Sequence, residues 1–169
     1  MKLAFIVTEI FCTFSFCWAQ SSRAPARIEA EYYVTAYAQH YGVPVTFVRA
    51  IIARESNWRP CALSPKGALG VMQLMRGTAD GLGLINRCNI DQNVAGGVRY
   101  LAWLMKRFRS DLRLVAAAYY AGHGVIDRRG LAYRNSDVFA YVVTIRATYL
   151  RESGTGPRIA NNIMKRDVR

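Results

Sequence analysis

The sequence predicts a predominantly α-helical single domain, on three observations. Apolar residues recur at spacings of three and four along several stretches, the signature of helices with one buried face. No segment carries the alternation of a strand, and no internal repeat is visible. At 169 residues, with 52% hydrophobic and 12% aromatic residues, the chain is long and apolar enough to build one core.

From the N-terminus, Lys2, a mostly apolar run from Leu3 to Trp18, and Ala19 resemble a signal peptide over residues 1–19. Glu9 interrupts the run and Trp18 stands at the processing site, so an uncleaved anchor is the competing reading. Fewer than about 20 continuous apolar residues disfavour a spanning helix. The domain itself is expected over residues 28–150. Ser21 to Arg27 form a small proline-containing leader, and Ile28 to Tyr41 a first helix ended by Gly42. Pro44 suits the first turn of the second helix, in which Val45, Val48, Ile51 and Ile52 mark the buried stripe. Arg59-Pro60 stops it, because the residue before proline is pushed out of the α region. Asn57 to Gly70 reads as a loop, Gln73 to Ala79 as a short helix, and Gly81 and Gly83 as a break. From Asn93, the positions Val94, Val98, Leu101, Met105 and Phe108 define a long amphipathic helix. Ser110-Asp111 caps the next, whose small apolar stretch from Leu114 to Ala121 suits close packing before Gly122 to Gly124 end it. Asn135 to Leu150 form the last helix, and Arg151 to Arg169 a basic tail whose glycines and proline do not extend it.

The net charge is +12, unchanged by removal of Lys2 and Glu9 with the signal, so an acidic partner is expected. Nucleic acid is disfavoured, because the basic residues are scattered rather than set in one stripe with interleaved aromatics. An anionic wall polymer or membrane surface suits an exported protein better. Cys12 and Cys17 fall in the signal, which leaves Cys61 and Cys88 as an even pair in an oxidising compartment and hence one expected disulfide. No metal site is expected: no cysteines lie close in sequence, and His40 and His123 show no ligand spacing and read as surface or helix-end residues. No cofactor motif is present.

Glu55 is the best candidate for chemistry. It follows Val48 by seven, Ile51 by four and Ile52 by three, so it continues the buried stripe, and it lies at the negative end of the helix dipole. Both effects favour the protonated acid and suit a general acid near neutral pH. Ser56 is expected to support the helix end rather than attack, since no histidine or lysine stands in sequence relation to it. Asp80, Asp91, Asp111 and Asp127 fall at helix ends or in loops, and Asp137 in the first turn of the last helix, where it could also line a site.

Four ordered motifs accompany that glutamate: Ser64-Pro65-Lys66-Gly67-Ala68-Leu69-Gly70-Val71-Met72-Gln73-Leu74-Met75, the Asn93 to Leu101 segment, Ala118-Tyr119-Tyr120-Ala121-Gly122, and Tyr141-Val142. With Glu55-Ser56 they resemble the soluble lytic transglycosylase catalytic domain, a relative of goose-type lysozyme. The resemblance implies a lysozyme-like fold of about six helices around a saccharide groove. It also implies cleavage of the β-1,4 bond from N-acetylmuramic acid to N-acetylglucosamine in peptidoglycan. Glu55 would protonate the leaving oxygen, and the sugar's own C6 hydroxyl would attack to give a 1,6-anhydro product. Such chemistry needs one protein carboxylate where ordinary glycosidases need two.

By the same resemblance Ser64, Gln73, Met75, Tyr119, Tyr120 and Tyr141 line the groove. Each has a plainer reading beside it. Ser64 could simply start a turn, Met75 could fill core, and Tyr119 could pack, although its phenol could hold the Glu55 carboxyl. Gln73 offers an amide able to donate and accept. The family usually has asparagine where this chain has Tyr120. Two other functions stay open: a muramidase that opens the same bond with water, and a non-catalytic wall-binding component. The small size resembles monomeric periplasmic enzymes that open the wall for type III or type IV secretion or conjugation machinery.

Overall fold

Seven α-helices and one 3-10 turn order the described residues, 23–155 of a computed structural model. They are α1 (Arg23–Tyr41), α2 (Val45–Glu55), α3 (Arg76–Gly81), α4 (Ile90–Arg107), α5 (Leu112–Ala121), α6 (His123–Arg129), the turn Gly130–Ala132, and α7 (Ser136–Glu152). The expected signal peptide over 1–19 and the tail beyond 155 lie outside the described residues. Among the described residues no helix is long and apolar enough to cross a membrane.

Several boundaries differ from the sequence reading, each for a local reason. α1 starts at Arg23, ahead of Ile28, because Pro25 falls in a first turn, where the missing N–H costs nothing. Pro44 occupies the N-cap of α2, one residue before its first turn. The short helix expected over Gln73 to Ala79 forms instead at Arg76–Gly81. Gln73 has a φ of +50°, outside the helical region, and Leu74 pairs back onto Leu69 through two backbone hydrogen bonds of 3.0 and 3.1 Å. α4 begins at Ile90, capped by the Asn89 side chain, which accepts from the Gln92 N–H. Its fully buried stripe runs Val94, Val98, Leu101 and then Leu104, with Met105 half-buried. Asp111 caps α5, as the sequence suggests, while Ser110 stands outside it at a φ of +59°. After Gly122 the chain restarts at once as α6, a helix the sequence reading did not contain. α7 takes in Arg151 and Glu152, the first residues of the expected tail.

α1 packs on α4 and α2, α2 on α7, and α5 on α4, α6 and α7. The shared core includes Val34, Phe47, Val48, Ile51, Ile52, Val98, Leu101 and Ile145. Full burial of side chains of this kind contributes about 1.5–3 kcal/mol each before chain entropy is counted. Between α2 and α4 the chain has only the short α3 and two isolated bridges, Leu63 to Leu69 and Leu69 to Leu74. This segment is stapled from several sides. Cys61 and Cys88 are joined as a disulfide, with Cα atoms 4.6 Å apart and a separation of 27 positions in sequence. Closing a loop of that size stabilises a fold by about 3 kcal/mol. The Arg87 guanidinium donates to the carbonyls of Gly67 (2.9 Å) and Leu74 (3.0 Å).

Candidate active site

The apolar face of α2 carries Phe47, Val48, Ile51 and Ile52 into the core and delivers Glu55 at its last turn. The helix stops abruptly. Asn57 and Trp58 take φ values of +49° and +64°, and the Arg59 guanidinium donates to the Ser56 carbonyl at 3.0 Å. Ser56 is buried, and its hydroxyl donates to the Val71 carbonyl at 2.7 Å, so the helix end is tied to the following loop as a support.

That loop is shaped by Asn93, which is fully buried on α4. Its side-chain oxygen accepts from the Met72 N–H at 2.7 Å, and its amide nitrogen donates to the carbonyls of Leu69 (3.1 Å) and Arg87 (2.8 Å). Gly70 lies against this amide at a φ of +91°, where any Cβ would overlap both the Arg87 carbonyl and Asn93. Gly97, the next turn of α4 after Asn93, also permits a close approach, since a Cβ there would overlap the Met72 sulfur. Met72, held in this way, offers its carbonyl to the Tyr119 hydroxyl of α5 at 2.7 Å.

The hydroxyl that reaches the acid belongs to Tyr141 of α7, which donates to Glu55 Oε1 at 2.5 Å. The phenol with the role considered for Tyr119 is therefore on a different helix. Burial raises the Glu55 carboxyl above the usual range, and the Tyr141 hydrogen bond and the Arg54 charge pull it some way back. Tyr119 and Tyr141 are pushed well above the ordinary phenol range, first by burial and then by the Glu55 charge, so both stay protonated donors. The result is a half-buried acid held at the junction of α2 and α7, with a second, half-buried phenol, Tyr119, inside its field.

The remaining candidates divide. Tyr120 is 44% exposed, and its ring lies 4.7 Å from that of Tyr141, so it joins the acid's surroundings. Met75 is 47% exposed at the N-cap of α3 and does not fill core. The Gln73 amide nitrogen donates to the Ala62 (2.6 Å) and Gly70 (2.9 Å) carbonyls. Ser64 Oγ accepts from the Ala68 N–H at 3.0 Å, which is the turn role; none of its hydrogen bonds reaches Glu55. Asp137 sits exposed in the first turn of α7, one turn before Tyr141. The other aspartates named from sequence are engaged elsewhere: Asp80 with Arg76, Asp91 with Tyr37, Asp111 with Arg113 and Asp127 with Arg107. Among the described residues no three His, Cys, Asp or Glu side chains gather as a metal site.

A groove of about 690 Å³ runs beside α3 and α4, lined by Thr78, Leu82, Arg99, Tyr100, Trp103 and His123 among others. The Tyr100 ring is 5.7 Å from Tyr119 and stacks on Trp103 at 5.9 Å, and His123 meets Trp103 edge-on at 4.9 Å. The groove thus adjoins the aromatic group next to the acid. Sequence reasoning missed Tyr100, Trp103 and the shaping role of Asn93. Trp103 falls off the apolar stripe of α4, and an aromatic off the stripe was the available signal.

Comparison with known proteins gives one family match: the family described as transglycosylase SLT domain matches residues 32–141. Membrane-bound lytic murein transglycosylase F 1 of Alkalilimnicola ehrlichii is 39% identical over 102 residues, covering 56% of this chain and 21% of its own. Membrane-bound lytic murein transglycosylase F of Yersinia pestis is 43% identical over 90 residues, covering 48% of this chain and 18% of its own. The chain spans about a fifth of the length of these curated relatives. Among solved structures, an inactive glutamate-to-glutamine mutant of the lytic transglycosylase Slt from Pseudomonas aeruginosa aligns with a TM-score of 0.66 at 24% identity, over 73% of this chain and 24% of that one. The 70 kDa soluble lytic transglycosylase of Escherichia coli aligns with a TM-score of 0.62 at 26% identity, over 72% of this chain and 24% of that one.

Proposed function

The chain belongs to the transglycosylase SLT domain family, and from that premise we propose that it is a peptidoglycan lytic transglycosylase. It cleaves the β-1,4 bond from N-acetylmuramic acid to N-acetylglucosamine and leaves a 1,6-anhydro end. The observation that carries the reading is the Glu55 carboxyl, raised by burial and held by the Tyr141 hydroxyl. Protonated Glu55 gives its proton to the leaving oxygen of N-acetylglucosamine as the bond from that oxygen to C1 breaks. The carboxylate so formed takes the proton of the C6 hydroxyl while that oxygen closes onto C1. One carboxyl serves as acid and then as base, and no water is consumed. Tyr141 keeps the carboxyl in place throughout. Tyr119, through Met72, holds the loop on which Gln73 and Met75 face the strand; Ser64 and Tyr120 complete the lining. The relatives named above are lytic transglycosylases, and one of them is inactive with a glutamate changed to glutamine.

Glu55→Gln keeps the shape and removes the proton. It should abolish release of fragments from purified sacculi while circular dichroism and sacculus binding stay near those of the parent protein. Cleavage by that variant at the parent rate would rule the assignment out. A second reading, hydrolysis by a muramidase, rests on Asp137, the one further carboxyl placed a turn from Tyr141. Mass analysis of the released ends separates the two, because the hydrolytic product carries one extra water.

The signal-like residues 1–19, the Cys61–Cys88 disulfide and the positive charge support a periplasmic enzyme. In that setting it would act as a monomer that opens the wall locally for a type III or type IV secretion or conjugation complex. Loss of assembly of such a complex on deletion of the gene, rescued by the parent protein and not by Glu55→Gln, tests that role.

A further inference from the structure

The outward side of α7 carries apolar side chains that the core does not use. Phe139, Val143, Arg146 and Leu150 follow one another at spacings of four, three and four, which sets them along one side of the helix, away from the buried Tyr141 and Ile145. Phe139 is 72% exposed and Val143 48%. The stripe runs into a cleft of about 160 Å³ between α5 and α7, which Arg146 and Leu150 line together with Phe47, Leu112 and Arg113. From Phe139 to Arg151 the helix holds no acidic residue. Arg113 is paired with Asp111 at 2.8 Å, whereas the exposed Arg146 makes no ion pair among the described residues.

We propose that this side of α7 docks the protein on an anionic lipid surface, with Phe139 and Val143 entering the acyl boundary and Arg146 meeting a lipid phosphate. Exposed apolar side chains bordered by guanidinium groups suit such a surface, because apolar contact and charge attraction add where either alone holds weakly. The planar fork of arginine matches a phosphate with two hydrogen bonds. A second copy of the chain is a poor occupant, since it brings +12 against +12. A helix of an acidic protein fits less well than a lipid surface. Phe139 and Val143 stand out instead of lining the cleft, and the cleft is too small to receive a helix about 10 Å across. The docking side shares no residue with the groove beside α3 and α4, so that groove stays open.

The test is co-sedimentation of the protein, isolated after export, with vesicles of phosphatidylcholine alone or with added phosphatidylglycerol. Binding should need the anionic lipid. Phe139→Ser combined with Val143→Ser changes no charge and should weaken binding about tenfold, as two apolar side chains return to water. Arg146→Gln should weaken it about fivefold. Arg128→Gln, exposed on α6, should bind like the parent. All four positions are exposed, so the variants should fold, which circular dichroism checks. Tryptophan emission of Phe139→Trp should shift to the blue when anionic vesicles are added and not before. Unchanged binding by the double variant overturns the proposal, and so does parent binding that ignores phosphatidylglycerol. Equal losses in Arg128→Gln and Arg146→Gln also overturn it, because the attraction is then diffuse. Blue emission of Phe139→Trp in buffer alone does the same, since a second copy or another part of the chain then covers the stripe. Vesicle binding needs no cleavage, so failure of the Glu55 assignment leaves this test standing.

Discussion

Glu55 is pulled in two directions, and the balance sets how the site should respond to pH. Burial raises its pKa and favours the proton; the Tyr141 hydrogen bond and the Arg54 charge stabilise the ionised form and lower it. As the proposed general acid it would work while protonated, so the rate should fall as pH rises through that raised pKa. Tyr141→Phe removes a stabiliser of the carboxylate, so the pKa moves further up and the alkaline fall of kcat shifts to higher pH. The same change frees the carboxyl to swing away from the scissile bond, a misplacement that typically costs up to about a hundredfold in rate. A pH profile of kcat on soluble glycan fragments checks both effects. A fall that stays put or moves to lower pH would show that the phenol does not hold the acid. The acid itself was legible from its place on the α2 stripe. Tyr141 came from motif resemblance, but its partner could not be read, because 86 residues separate the two in sequence.

At the scale of elements, the segment between α2 and α4 is ordered less by its own propensities than by what holds it. Asn93 is the central fastener, and Asn93→Leu keeps its branched shape with somewhat more bulk while stranding the Met72 N–H and the Leu69 and Arg87 carbonyls. Each buried group left without a partner costs about 1–3 kcal/mol. The variant should lose several degrees in thermal midpoint or fail to fold, and any soluble fraction should have lower activity because the Met72 carbonyl under Tyr119 is displaced. A midpoint equal to that of the parent would mean that the loop holds its shape without this amide. The α4 stripe was visible as a period in sequence because helical burial repeats regularly. The turn at Gln73 was not visible, since a left-handed glutamine is held by hydrogen bonds to Ala62 and Gly70 rather than by any preference of its own.

Over the whole molecule, a charge of +12 would, on the proposed function, meet a polymer whose peptide stems are acidic. Exposed Lys106, Arg109, Arg128 and Arg129 are screened over about 8 Å at physiological ionic strength, while the half-buried Glu55 is screened much less. Raising salt should therefore increase KM on soluble fragments that carry stems more than it lowers kcat. A collapse of kcat at constant KM would place the charge in the chemistry or the fold instead. The sequence by itself determined the helical class, the long α4, the cap at Asp111, the acid at the end of α2 and the pairing of Cys61 with Cys88. Each of these depends on local periodicity, on a capping side chain or on counting, and all are written within one stretch of chain. Only the tertiary structure decided that α6 follows Gly122 directly, that Tyr141 rather than Tyr119 holds the acid, and that Tyr100, Trp103 and His123 share one groove. Those outcomes are set by which helices pack together, and packing brings into contact side chains whose separation along the chain carries no period to read.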